Sequence, residues 1–301
     1  MIYASNITSN SQQILNPATP TAYLRPDEAF QVVITTYVIV ASCGVFIWDV
    51  ITNLGNDYTL VSKYPVRFPT IVYVLSRLAT FGYVLAATIY QTAPVGNCAR
   101  FEMALNAFNT LAIPITSILF FIRVRAIYEN ERYISIFFSI MWLAVFAGSL
   151  STTFGVTGIS IGPTRYCMIS KMSPYVVAAG VVPLVNDTLI FFAISWRLTK
   201  NSLHHLDFQV GFRAIVFGDY MPVFSRSLLQ DGQKYYLTTV SCGLVAVVLL
   251  TASTIPVTYR TILIVPNCIL TNIMACGVFR RTKFTHLTEG SGTPTSLSFL
   301  V

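Results

Sequence analysis

Two ionisable side chains lie inside otherwise apolar segments of the sequence. Arg77 and Asp187 each fall within a run of about 20 largely apolar residues, and Asn186 precedes Asp187. A charge at the centre of a bilayer costs roughly 2.5–3.5 kcal/mol unless it is paired. We therefore predict an intramembrane polar cluster in which Arg77 contacts Asp187 directly or through water, with Asp49 and Arg123 as competing partners. The cluster could fix helix packing, or it could act as a switch or proton relay.

Amides and prolines accompany these charges. Interhelical hydrogen bonding explains amides in apolar segments without any ligand. A proline inside a helix removes one hydrogen bond and bends the helix, which creates cavities or hinges in some bundles and static bends in others. The amides are Asn106, Asn109, Asn186, Asn267 and Asn272, and the prolines are Pro114, Pro183 and Pro266.

The elements that position these groups follow from composition. Hydrophobic residues make up 54% of the 301 residues and charged residues only 10%, against about 25% charged in soluble domains. Apolar runs of bilayer length recur along the chain, which predicts a membrane protein whose main partner is lipid. The net charge of +7 is spread between these runs instead of forming a patch, so we predict no nucleic-acid partner.

The apolar runs predict an all-α, polytopic seven-helix bundle. The backbone of each lipid-exposed segment must satisfy its own hydrogen bonds, which only helices do in such a chain. We expect an N-terminal tail at 1–28, a transmembrane domain at 29–281 with a long cytosolic loop at 195–236, and a disordered cytosolic tail at 282–301. The predicted spans are about 29–48, 69–90, 101–125, 134–154, 174–194, 237–255 and 261–278.

Lysines and arginines set the predicted orientation. The side that holds the 195–236 loop and the C-terminal tail carries 13 of them, and the other side carries 5. The excess of basic residues marks the cytosolic side, which leaves the N-terminus outside. Asn6 begins an Asn-Ile-Thr glycosylation sequon on that outer side. We predict a location in the plasma membrane or another membrane of the secretory pathway.

Two of the six cysteines lie in loops, and both loops are predicted to be outside, where disulfides persist. We predict a bridge between Cys98 and Cys167, with two unpaired loop thiols as the alternative. The other four, Cys43, Cys242, Cys268 and Cys276, lie in spans and are interpreted as packing residues.

The sequence contains no motif typical of nucleotide, zinc-protease or thiol-redox chemistry. We therefore predict no cofactor, no metal site and no catalytic residues. The basic 195–236 loop fits two interpretations, a surface for a cytosolic partner protein or a connector held to anionic lipid by its arginines.

Three segments carry a family resemblance: WDVITNLGNDYTLVSKYPVRFPTIVYVLSRLATFGYVL (48–85), PLVNDTLIFFAISWRL (183–198) and FSRSLLQDGQKYYL (224–237). They resemble a family of uncharacterised seven-helix membrane proteins of basidiomycete fungi, assigned to a domain of unknown function. The resemblance runs from about residue 29 to residue 283 and implies a fungal membrane protein.

The predicted layout also resembles that of G-protein-coupled receptors. Seven spans, an outside N-terminus, the two loop cysteines and Arg123, 25 residues after Cys98, carry this resemblance. The chain departs from that pattern where Ile122 and Val124 flank the arginine and where Pro266-Asn267 replaces the motif of the last helix. The resemblance is one of architecture, and a fold does not fix a function.

These features support three functional hypotheses. The first is a receptor-like signalling protein with a small-molecule or peptide ligand outside and a cytosolic partner at the 195–236 loop. The second is a transporter or membrane-embedded enzyme that uses Asp187 and Arg77, although the chain has no evident internal repeat of the kind transporters are built from. The third is a membrane scaffold without chemistry.

Overall fold

The computed structural model describes residues 20–62, 67–129, 131–203 and 223–289. Within these ranges the chain is mostly helical. The longer helices are α1 (Pro26–Ser62), α2 (Phe68–Thr92), α3 (Cys98–Ile127), α4 (Arg132–Gly155), α5 (Ala178–Leu203), α6 (Val223–Thr251) and α8 (Ile264–Glu289), with a short α7 at Val257–Thr261. Two 3-10 turns, Pro20–Tyr23 and Pro174–Val177, precede α1 and α5.

Six helical segments of the described chain are long and apolar enough to cross a membrane, and Tyr236–Thr251 within α6 is a shorter apolar segment. Their outer faces expose many large apolar side chains, among them Trp48, Leu78, Leu143, Phe192 and Val248. Water does not favour such continuous apolar faces, whereas lipid does. The helices therefore indicate an integral membrane protein with several passes.

Local sequence sets where the helices begin. Pro69 lies in the first turn of α2, where its missing N–H leaves no helical hydrogen bond unmade. Gly96 adopts a positive φ of 83° just before α3, and the side chain of Asn97 accepts a hydrogen bond from the backbone N–H of Arg100. This cap satisfies one of the free donors in the first turn of α3.

A β-hairpin on one side of the bundle differs from the all-α expectation. Strands β1 (Val156–Ser160) and β2 (Cys167–Met172) pair antiparallel between α4 and α5. Outside the hydrocarbon the backbone does not have to be helical, and strand pairing satisfies its polar groups equally well. The side of the bundle that carries this hairpin is called the hairpin side below.

The hairpin is fastened to the helices at two points. Cys98, the first residue of α3, forms a disulfide with Cys167, the first residue of β2, with a Cα–Cα distance of 5.4 Å. The backbone N–H of Val95 donates a hydrogen bond to the carbonyl oxygen of Arg165 at 2.9 Å. The ring of Tyr23, which precedes α1, lies against Gly162 at the hairpin tip. The start of α1 is therefore also on the hairpin side.

Helices α2 and α3 occupy the centre of the bundle. Helix α2 packs against α1, α3 and α8, and α3 packs against α2, α4, α5 and α8. One apolar core lies toward the hairpin side around Phe46, Tyr90 and Ala112, and a second lies toward the opposite side around Phe120 and Ile190. Helices α1 and α5 are thus on different flanks of the central pair.

The end of α6 is tied to the segment that follows it. The guanidinium of Arg260, in α7, donates hydrogen bonds from Nε and Nη2 to the carbonyl oxygen of Leu250, at 2.9 and 2.6 Å. Carbonyls in the last turn of a helix have no partner within the helix, and a cation is favoured there. This contact fixes the hairpin-side end of α6.

Several segments are longer than the spans predicted from apolarity. Helix α1 continues to Ser62, well beyond residue 48, and α8 continues to Glu289, so residues 282–289 of the expected tail are helical. The rest of that tail, the Asn6 sequon and residues 204–222 of the 195–236 loop lie outside the described residues.

Candidate functional site

A cluster of charged and phenolic side chains joins α1, α2 and α8 on the side opposite the hairpin. Asp49 and Asp57 lie eight residues apart on α1, Tyr73 and Arg77 lie four apart on α2, and Arg280 is on α8. Residues four or eight apart on a helix lie on nearly the same face. These five residues are called the charged cluster.

Arg77 holds the two aspartates together. Its Nη1 donates to Oδ2 of Asp49, and its Nη2 donates to Oδ2 of Asp57 at 3.2 Å. One guanidinium thus bridges two carboxylates of the same helix, which its fork of N–H donors suits better than a single ammonium would. The contact fixes α2 against the second half of α1.

Arg280 of α8 joins the cluster through Tyr73 of α2 and the two aspartates. The Tyr73 hydroxyl donates to Oδ1 of Asp57 at 2.5 Å and accepts from Nη1 of Arg280 at 2.8 Å. Arg280 also forms ion pairs with Asp49 at 3.9 Å and Asp57 at 3.6 Å. Both arginine side chains are 9% exposed and the aspartates 15% and 20%. Two positive and two negative charges therefore neutralise each other away from water.

A hydrogen-bonded layer lies next to the charged cluster, toward the hairpin side. Nδ2 of Asn272 on α8 donates to Oγ of Ser76 at 2.7 Å and to Oγ1 of Thr116 at 3.2 Å, and the two hydroxyls are 2.8 Å apart. All three side chains are buried. These residues, called the bridging layer, connect α2, α3 and α8. Ser76 precedes Arg77 in the chain, so the layer adjoins the cluster directly.

A cavity of about 90 Å³ lies on the other side of the bridging layer. At the hairpin side its wall includes Val176, Leu250 and Ile264, which are at or near helix ends. At its inner end it reaches Thr116 of the bridging layer and Asp187, which is nine residues into α5 or roughly 14 Å along it. A cavity of this size holds several waters or a small ligand.

The polar groups on the cavity wall include hydrogen-bond acceptors with unused capacity. Asp187 receives one hydrogen bond, from Nδ2 of Asn186 at 3.3 Å, and forms no ion pair within the described part of the chain. Oδ1 of Asn109 and Oδ1 of Asn267 are buried and have no partner among the described residues. The wall contains no lysine, arginine or histidine among the residues that the structure describes.

The structure separates the polar residues that the sequence analysis grouped. Arg77 contacts Asp49, which was one of its competing partners, and Asp187 faces the cavity beside Asn186 instead. Arg123 lies elsewhere, with its guanidinium carbon 5.6 Å from the ring centre of Tyr236 on α6. The sequence predicted a contact between Arg77 and Asp187, but α2 and α5 are on different sides of α3.

Three members of the charged cluster were not identified from sequence: Asp57, Tyr73 and Arg280. Asp57 lies in the stretch interpreted as the loop between the first two spans, and Arg280 lies just beyond the last predicted span, 261–278. The spacing of Asp49, Asn53 and Asp57 at every fourth residue is a helical pattern that indicates one face of a longer α1. Asn53 supports this face by donating from Nδ2 to Oδ1 of Asp49 at 3.0 Å.

A comparison with known protein families gives a match over part of the chain. A family of unknown function (DUF6533) matches residues 37–82. The matched segment runs from the middle of α1 to the middle of α2 and contains every member of the charged cluster except Arg280. A comparison with curated proteins finds no match. The match and the apolar helices together fit a family of uncharacterised membrane proteins.

Proposed function

We propose that this chain is a seven-span, receptor-like signalling protein. In this proposal a ligand on the hairpin side occupies the cavity and changes the packing of the helices at the opposite side. The observation that carries it is a hydrogen-bonded chain from the cavity wall at Thr116 through Asn272 to Ser76, which directly precedes Arg77 of the charged cluster in the sequence.

The membrane topology assigned in this proposal rests on the disulfide between Cys98 and Cys167. Disulfides persist in oxidising compartments, which supports placing the hairpin side outside the cell or in the lumen. Because Tyr23 contacts the hairpin, the start of α1 is assigned to the same side. If the shorter apolar part of α6 also crosses the membrane, the crossings number seven and the C-terminus is cytosolic, in agreement with the excess of basic residues there.

A conformational switch needs an element with two stable packings that the ligand can bias. We assign this role to the charged cluster because its ion pairs join three helices and would be lost if those helices separated. Thr116 is a wall residue of the cavity and a partner of Asn272 at once. Occupation of the cavity therefore bears on the layer that adjoins the cluster.

The cytosolic output of the proposal involves α3, α5, α6 and the 195–236 loop. Arg123 packs against Tyr236, and Arg197 packs against Tyr128 with 5.5 Å from its guanidinium carbon to the ring centre. These contacts join the cytosolic ends of three helices, where a partner protein would sense their separation. The loop as a lipid-held connector remains the alternative assignment.

Breaking the charged cluster tests the proposal without a known ligand. Asp49→Asn removes one partner of Arg77 and is expected to favour the rearranged bundle, so recruitment of host G protein to the C-terminus rises several-fold in a luminescence-complementation assay. Asp27→Asn, which neutralises an exposed aspartate at the start of α1, is the matched control. Arg123→Ala in the Asp49→Asn background should abolish the gain.

Surface amounts are measured in the same cells, with one epitope tag after Val301 and one before Ile2. The N-terminal tag should be accessible in intact cells and the C-terminal tag only after permeabilisation. Recruitment that is equal in wild type, Asp49→Asn and Asp27→Asn at matched surface amounts would refute the signalling role.

A carrier of small solutes is the second candidate, because an aspartate without a cationic partner lines the cavity. The ²²Na⁺ uptake of proteoliposomes separates the two functions. A carrier should show uptake that falls at least fivefold in Asp187→Asn. For a receptor, uptake with the wild type and with Asp187→Asn should both equal the uptake of protein-free liposomes.

A further inference from the structure

We infer that the cavity between α3, α5, α6 and α8 is a binding site for a monovalent cation, either a sodium ion or the protonated amine of a small ligand. The inference deepens the proposed function by naming the chemical class that its cavity binds. It rests on the charge, the unpaired acceptors and the size of that cavity.

Among the described residues, Asp187 is the only charged residue on the cavity wall. No basic residue of the described chain lines the cavity, and Asp187 forms no ion pair among the described residues. Asn186 supplies its single hydrogen bond. A carboxylate accepts several hydrogen bonds, so most of the acceptor capacity of Asp187 remains free. A cation in the cavity would satisfy it and remove the cost of an unpaired buried charge.

The uncharged groups on the wall favour the same occupant. Thr152 and Thr239 donate their hydroxyl protons to the backbone carbonyls of Ser149 and Tyr236, at 2.8 and 2.9 Å. Their oxygens can therefore only accept further bonds inside the cavity. Oxygen ligands of this kind suit hard cations and N–H donors and disfavour anions.

Asn109 gives independent support. Its side chain is only 2% exposed, it lines the cavity, and its Oδ1 has no partner within the described residues. Asn267, on α8, also lines the cavity, and its Oδ1 is likewise buried and without a partner among the described residues. Buried amide oxygens without a donor are uncommon, because leaving such an oxygen unpaired destabilises the folded state. Both side chains line the cavity that would hold the cation.

The cavity volume limits the ligand. About 90 Å³ admits a sodium ion with some of its waters, or a primary amine with a few carbon atoms. In the described chain, no three histidine, cysteine, aspartate or glutamate side chains lie close enough together to hold a metal ion. The single carboxylate therefore favours a monovalent cation over a divalent metal ion.

Thermal unfolding of the purified full-length protein in lipid nanodiscs tests this inference. A ligand that binds the folded state raises the unfolding midpoint by mass action. Sodium chloride and methylammonium chloride are each titrated against N-methylglucamine chloride at constant ionic strength. We expect a saturable rise of about 3 °C with sodium, with methylammonium or with both. The arm that responds identifies the source of the cation.

Two variants and one control locate the effect. Asp187→Asn keeps the shape of the side chain, removes the charge and should abolish the rise. Gly243→Ala, whose added methyl would lie 3.8 Å from Oδ1 of Asn267, should weaken apparent affinity at least threefold. Asp27→Asn makes the same chemical change at an exposed site and should retain the full rise.

Absence of a saturable rise with either cation in the wild type would overturn the inference, as would an equal rise in Asp187→Asn. The result is independent of the recruitment assay. Cation binding without recruitment would remove the signalling role and keep the site, and recruitment without cation binding would remove the site and keep the signalling role.

Discussion

The two polar regions of this bundle are built on opposite principles. In the charged cluster, Arg77 and Arg280 face Asp49 and Asp57, and Tyr73 links the two pairs, so the charges are matched within the protein. In the cavity, Asp187 has a single amide donor and no cation among the described residues. A matched region needs nothing further and holds helices together, whereas an unmatched region gains from a ligand.

Arg77→Ala is the strongest test of this difference. Removing one partner of a buried ion pair leaves the others uncompensated, and we expect a loss of about 3–5 kcal/mol in the free energy of unfolding. Thermal unfolding in nanodiscs measures it as a lower midpoint. Arg77→Lys keeps the charge but loses the fork geometry, so its unfolding midpoint should lie between those of the wild type and Arg77→Ala. The exposed Arg100→Ala is the control, and equal losses in both alanine variants would contradict the matched-cluster description.

Removal of the disulfide tests what holds the hairpin side, where few charges are matched. Replacing Cys98 and Cys167 by serine opens a connection between residues 69 apart in the chain. Disulfides typically contribute about 2–4 kcal/mol to the free energy of unfolding, and we expect a loss of that size. The midpoint should fall without a change in the contacts of Arg77. Cys242→Ser, at an exposed free cysteine, should leave the midpoint unchanged; an equal fall there would make the disulfide irrelevant.

Tyr73→Phe sharpens the comparison inside the charged cluster. The change removes one hydrogen bond donated to Asp57 and one accepted from Arg280, while the ring keeps its stacking on Phe279. Hydrogen bonds to charged groups contribute about 1.5–3 kcal/mol, and the ion pairs of Asp57 persist, so we expect a loss of about 1–2 kcal/mol. Tyr37→Phe, on the exposed face of α1, is matched in chemistry and should cost nothing measurable.

Asp187→Asn should have the smallest effect on stability, although the residue is the only carboxylate on the cavity wall in the described chain. In sodium-free buffer the amide replaces a carboxylate that has no cationic partner, so the free energy of unfolding should stay within about 1 kcal/mol of the wild type. The same substitution at Asp49 removes an ion-pair partner and should cost about 2–3 kcal/mol. Equal losses at both sites would mean that Asp187 has a partner within the folded protein.

The sequence predicted the parts of the fold that depend on apolarity. Long apolar runs located the helices, and the predicted sides of the loops paired Cys98 with Cys167, which are bonded in the structure. Apolarity did not predict where helices continue past the hydrocarbon. Asp57 and Arg280 lie in such extensions, because a helix persists beyond the lipid wherever packing supports it.

The partners of the buried charges could not be predicted because they depend on which helices are neighbours. The sequence left both Asp187 and Asp49 as partners of Arg77, and only the placement of α1 beside α2 decides for Asp49. The cavity is likewise a property of packing between four helices, and no single segment contains its pattern. Asn109, Asp187 and Asn267 were each noted as polar residues in spans, but their common surface is visible only in three dimensions.

The hydrogen bonds from Arg260 to Leu250 fix one end of α6, so the helix can tilt about that end. They hold the helix at its hairpin-side end, and Leu250 itself is part of the cavity wall. Helix α6 has 29 residues and is therefore about 43 Å long. A tilt of about 5° about its fixed end would move the other end by about 4 Å. A ligand that shifts atoms near Leu250 by a fraction of an ångström would thus move the far end of α6 by several times that distance.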